Sequence, residues 1–134
     1  MTRIARILAS AALLSVAAAA PAADRRIDRG EIGLAKILGD RVAGKPLPCV
    51  ALRDVRSTRI MDGTAIVYEV GSTLFVNRPD GASTLDDDDI LVTRTIGSQL
   101  CRLDTIGLVS RAGVFQRGFV TLRDFVPYPK VRTK

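Results

Sequence analysis

Residues 57–77, Ser-Thr-Arg-Ile-Met-Asp-Gly-Thr-Ala-Ile-Val-Tyr-Glu-Val-Gly-Ser-Thr-Leu-Phe-Val-Asn, read as three β-strands joined by two tight turns. Asp62-Gly63 is a two-residue hairpin signal between Ser57–Met61 and Thr64–Val70, because glycine there accepts the positive φ the turn demands. In the second run Ile66, Tyr68 and Val70 fall on one face, since side chains alternate along a strand. Gly71-Ser72 reverses the chain again into Thr73–Asn77. An antiparallel meander is the expected result.

Upstream of this core the pattern changes. Val50 and Leu52 alternate with Ala51 and Arg53, a strand beginning at Cys49. Before that, Asp28 and Glu31 stand three apart, the spacing of a helix N-cap and its capping-box partner. Ile32, Ala35, Leu38 and Val42 follow near helical spacing, with Ile37 beside them. Gly39 is a weak point in this helix, Gly44 can close it, and Pro46 and Pro48 prevent continuation. Downstream, 78–89 reads as a loop, 90–95 as a strand, and Gly97-Ser98 as a turn delivering Cys101. Further strands are expected at 105–110 and 119–122, with Phe125-Val126-Pro127-Tyr128 fastening the C-terminus. The expected fold is α+β: one N-terminal helix followed by a small, mainly antiparallel sheet of about six strands.

The first 22 residues have the three parts of an export signal. Arg3 and Arg6 supply the positive start, 7–20 are uncharged, and Ala20-Pro21-Ala22 offers small residues for cleavage before Ala23. The apolar run is shorter than the roughly 20 residues a bilayer span requires. The expected organisation is a signal peptide over 1–22, a flexible lead-in over 23–30, one domain over 31–128 and a basic tail over 129–134. The expected location is the periplasm or the exterior. An uncleaved amphipathic or core helix is the alternative for the leader.

Cleavage removes two arginines, leaving eighteen basic residues against fourteen acidic ones in 112 residues. Such a chain can build one modest core. The basic excess is spread along the sequence and suits either a GC-rich codon bias or attraction to an anionic envelope component. Nucleic acid is an unfavourable partner, because the six mature aromatics are not interleaved with the cations as a stacking platform requires.

Cys49 and Cys101 are the only cysteines, and there is no histidine. In an exported chain an even pair reads first as a disulfide. Closing a loop of about 50 residues would contribute roughly 4 kcal/mol. Free buried thiols, or a reactive thiol lacking a histidine base, are the alternatives.

Other chemistry-bearing residues are few. Asp86, Asp87, Asp88 and Asp89 form an acidic run. It reads as a solvated loop first and as a weak calcium site second, because adjacent carboxylates cannot all converge on one ion. A glycosidase pair would need two carboxyls across a cleft, one with a raised pKa. Ser57, Ser72, Ser98 and Ser110 have no histidine partner, and Lys36, Lys45, Lys130 and Lys134 stand outside Ser-x-x-Lys spacing. Zinc is disfavoured without histidine, and no cofactor is expected. Arg53, Arg56 and Arg59 recur every third residue, so they share one face only if a bulge or turn intervenes; scattered surface charge is the first reading and a patch for an anionic partner the alternative. Arg94 and Asp104 flank Cys101 and are expected to pair beside the disulfide.

Taken together, several motifs make the chain similar to a family of small exported proteobacterial proteins classed as a domain of unknown function. They are Cys49-Val50-Ala51-Leu52, Arg56-Ser57-Thr58-Arg59, Tyr68, Val76-Asn77, Ser98-Gln99-Leu100-Cys101 with Asp104, and Phe125-Val126-Pro127-Tyr128. Members often carry a further cysteine where this chain has Asp80-Gly81-Ala82-Ser83. That departure favours pairing Cys49 with Cys101. The resemblance implies export and a shared small fold, and no activity. The function expected is a non-enzymatic binding or structural role in the envelope, with an anionic component or another envelope protein as partner. A carboxylate- or Ser/Lys-dependent hydrolase and a calcium-stabilised module are the competing readings.

Overall fold

A computed structural model describes residues 22–113 and 115–131. The leader, apart from Ala22, and the last three residues of the basic tail lie outside the described residues. A helix, α1 (Ala22–Leu38), precedes nine strands: β1 (Cys49–Ala51), β2 (Val55–Met61), β3 (Ala65–Val70), β4 (Thr73–Asn77), β5 (Asp89–Thr93), β6 (Gln99–Cys101), β7 (Thr105–Ser110), β8 (Gln116–Thr121) and β9 (Phe125–Pro129). The α+β class holds, with nine strands rather than about six. The surplus has a simple cause. β6 is three residues long, too short to display a period, and β9 contains Pro127 and Pro129.

The strands form a four-stranded sheet β2-β3-β4-β9, a three-stranded sheet β5-β7-β8 and a ribbon β1-β6, all antiparallel. The 57–77 stretch is the expected meander. Asp62 and Gly63 occupy the corner of a turn closed by the Thr64 N–H on Met61 O at 2.9 Å, with Gly63 at φ +58°. β9 tolerates its prolines because it is an outer strand.

Three layers result. On one face of the four-stranded sheet, Leu34, Ile37 and Leu38 of α1 pack on Met61, Ala65, Val67 and Val76. On the other face, Ile66, Tyr68 and Phe125 meet Ile106, Leu108 and Val120 of the three-stranded sheet, with Val50 and Leu100 of the ribbon. β3 is therefore covered on both sides, and Ala65, Ile66, Val67 and Tyr68 are buried in succession.

The helix departs from expectation in three ways. It begins before Asp28, so Asp28 is not its N-cap, and 24–30 form its first half rather than a flexible lead-in. Arg26 and Ile27 fix this half: the Arg26 guanidinium donates to Leu85 O and Asp86, and Ile27 lies over Gly63. The helix also ends at Leu38. Gly39 turns left-handed at φ +56° and donates its N–H to Ala35 O, so it terminates the helix and Val42 lies beyond it. Finally, the buried face is Gly30, Leu34, Ile37 and Leu38. Ile32 and Val42 are 69% and 73% exposed. Gly30 sets this orientation, because it lets the helix backbone rest directly on the Asp62–Thr64 turn.

Candidate functional site

Cys49 and Cys101 face one another in the ribbon register and are bonded, S–S 2.05 Å. The disulfide thus joins the helix exit to the chain entering β7. Asp104 serves this turn rather than Arg94. Its Oδ2 accepts the Cys101 N–H at 2.7 Å and its N–H returns to Cys101 O, with Leu103 left-handed between them. Among the described residues no ion pair joins Arg94 to Asp104. The four-residue turn 101–104 holds the Asp104 carboxylate on backbone, so a backbone cap stands where an ion pair was expected.

The acidic run is divided by its strand. Asp89 begins β5 with its side chain 1% exposed, and its two oxygens accept Arg117 Nη1 at 2.7 and 2.8 Å. It is no part of a solvated loop, because entry into β5 turns it inward onto that guanidinium. Asp86 takes Arg26 at 2.9 Å and Arg117 at 3.5 Å. Asp87 and Asp88 remain exposed. The carboxylates that do converge are Asp62, Asp86 and Asp87, whose oxygens lie within 4.8 Å of one another. Asp62 already accepts the Asp87 N–H at 2.8 Å, and Asp86 holds its arginines, so the group is an internally bonded corner.

The arginine triplet meets the bulge condition but disperses. Arg56 is the extra residue where the β2–β3 register shifts. Arg53 sits in a 3₁₀ turn, 52–54, beside Asp54, and Arg59 opposes Val67. Of the three, Arg59 alone lines the cleft between β2 and β5. Ser57, singled out as a hydroxyl, donates to its cross-strand neighbour Glu69 at 2.7 Å.

That cleft opens where the two sheets part. Neither β2 nor β5 has a strand on its outer side, and between these edges lies a groove of about 620 Å³. Val55, Ile60 and Leu91 are its apolar lining, Tyr68 is buried beside them, and Thr58, Arg59, Asp87 and Arg111 are the exposed polar and charged residues along it. Thr58 opposes Tyr68 directly across the β2–β3 pair. The Tyr68 ring stacks edge-on against Phe125, centroids 5.6 Å apart. Its hydroxyl is buried and has no hydrogen-bond partner among the described residues. Burial pushes its ionisation well above the ordinary phenol value, so it stays a neutral donor. Leaving a buried hydroxyl unpaired costs about 1–3 kcal/mol. Arg59 and Arg111 make no ion pair among the described residues.

No family model, curated protein or solved structure matches this chain. The cleft is accordingly read from its own chemistry. Two of its residues, Tyr68 and Arg111, escape sequence reasoning as site residues. Tyr68 carries a faint signal, a hydroxyl placed among aliphatic neighbours on a buried face, where it needs a partner. Arg111 carries none, because it stands in a turn that only the folded chain brings to β2.

Proposed function

We propose that this chain is an exported, disulfide-braced binding protein of the cell envelope, without a reaction of its own, whose inter-sheet cleft receives an anionic amphiphile. The carrying observation is a cleft with apolar walls that Tyr68 lines, its buried hydroxyl unpartnered among the described residues, and two cations along it that make no ion pair among those residues. An apolar chain suits Val55, Ile60 and Leu91. An oxygen of the ligand accepts from Tyr68, and the anionic head lies against Arg59 and Arg111. Export is supported by the leader motif and by a disulfide, which persists in oxidising compartments.

Calorimetric titration with dodecyl phosphate, using dodecyl maltoside as the uncharged control, tests this reading. Binding of the phosphate and not the maltoside is expected. Charge-assisted hydrogen bonds are worth about 1.5–3 kcal/mol, so Arg59→Ala and Arg111→Ala should each weaken binding about tenfold or more. Equal binding of both amphiphiles, or none of either, overturns the proposal.

A further inference from the structure

An antiparallel sheet with one face on the core normally turns polar and charged side chains to water on the other. The three-stranded sheet departs from this rule. Its only charged residues are Asp89 and Arg117, and these bond one another at 2.7 and 2.8 Å. Ile106, Leu108 and Val120 are buried against the other sheet. Alternation therefore turns outward Ile90 and Val92 of β5, Gly107 and Val109 of β7 and Phe119 of β8, the remainder being threonine and glutamine. Gly107 has no side chain, so Val92 and Phe119 stand on either side of a trough of about 640 Å³. Among the described residues no element lies over this face, and Phe119 is 65% exposed.

The apolar surface continues past the end of β5. Ile96, in the loop after that strand, is fully exposed, and Leu103 is exposed in the turn before β7. Arg94 and Asp104 border both the trough and the hollow beside Ile96, so loop and face form one surface. The charges at this end are not balanced. Asp104 is held by the Cys101 N–H, whereas Arg94 makes no ion pair among the described residues. Arg102, next to Leu103, meets only Asp124 at 3.6 Å, an exposed pair of little worth.

We infer that this face docks on an anionic bilayer, with Phe119, Leu103 and Ile96 in the headgroup region and Arg94 and Arg102 against lipid phosphates. Charge complementarity selects that partner: an uncharged apolar face with cations at its margin is the distribution of an interfacial binder. The apolar groups also lie on separate elements, a sheet face, a turn and a loop, and fluid lipid fills such relief without a matching shape. Finally, Ile90 belongs both to this face and to the lining of the inter-sheet cleft. Docking therefore brings the cleft to the lipid, from which an amphiphile can enter it. That transfer rests on the binding reading above; the docking itself does not.

Sedimentation with sucrose-loaded vesicles measures docking of the oxidised protein. Phosphatidylglycerol vesicles should retain it at low salt, and phosphatidylcholine vesicles about tenfold less or weaker still. Arg94→Ala should weaken retention about fivefold, and Phe119→Ser about tenfold. Phe119 is no part of the cleft, so Phe119→Ser should leave binding of monomeric dodecyl phosphate unchanged, and Tyr68→Phe should do the reverse. The chain has no tryptophan, so Ile96→Trp and Ile32→Trp each install a single reporter. Anionic vesicles should blue-shift the emission of the first and not of the second, which lies on α1 in the opposite outer layer. Overturning results are no retention on anionic vesicles, equal retention on neutral ones, or a shift at position 32 and not at 96. Loss of dodecyl phosphate binding with vesicle retention intact would overturn the cleft reading alone and leave the docking standing.

Discussion

Gly30 and Gly33 lie on the same helix, three residues apart, and alanine at each should change stability in opposite directions. A Cβ built at Gly30 would stand 2.0 Å from Asp62 O and 2.2 Å from Thr64 Oγ1. At Gly33 the nearest atom is Met61 Sδ at 3.5 Å, an ordinary contact. The carbonyl is backbone, so for Gly30→Ala the helix itself has to lift by about 1 Å, a gap that forfeits a quarter to a half of the contact energy. Leu34 is fully docked and Ile37 and Leu38 partly, together worth roughly 5 kcal/mol at 1.5–3 kcal/mol for a fully buried side chain. Lifting costs about 2 kcal/mol of this, against which alanine returns up to about 1 kcal/mol of helix propensity. A net loss of about 1 kcal/mol is the minimum, corresponding to a Tm lower by about 4 °C or more. Gly33→Ala should keep the propensity gain and raise Tm by about 2–4 °C. Thermal and urea unfolding of the oxidised protein, followed by circular dichroism, measures both. A Gly30→Ala variant as stable as the wild type would refute the close approach of α1 to the Asp62–Thr64 turn.

Replacing Cys49 and Cys101 together by alanine should cost about 4 kcal/mol, read as a lower urea midpoint, because it releases a loop spanning 52 positions. Asp89→Asn should cost about 2 kcal/mol by breaking a charged hydrogen bond, and addition or chelation of calcium should leave the wild-type Tm unmoved, since Asp86 and Asp89 are held by arginines. Glu31 is held below its ordinary carboxylate pKa mainly by its hydrogen bonds from Arg78, 2.5 and 3.0 Å. That contribution is present above the unfolded-state value and is lost as pH falls through the lowered folded one. Solvent screening limits it to a few tenths of a kcal/mol, so Glu31→Gln should flatten the acid limb of the Tm–pH curve only slightly.

The meander was legible because 57–77 carries its own turn residues and an uninterrupted period of two. The helix was legible as an element but not in its facing. Ile32 and Val42 outweigh Gly30 in any apolar pattern, yet glycine makes the closest approach and so decides which side docks. The cysteine pair followed from the even count and from the compartment expected of the leader motif. The Arg94–Asp104 pairing failed because sequence proximity says nothing about a carboxylate's nearer choice, here the backbone N–H of its own turn. The acidic run misled in the same way, since Arg26 and Arg117 come from elements far away in sequence. The cleft was invisible because it is made by two strand edges from different sheets, and its decisive group is a hydroxyl on a residue that patterns as core.

That hydroxyl gives the most direct test of the binding reading. Tyr68→Phe removes an unpaired buried donor and leaves the ring on Phe125. The account predicts a free protein more stable by about 1 kcal/mol, together with about tenfold weaker binding of dodecyl phosphate. A less stable protein with unaltered affinity would contradict it.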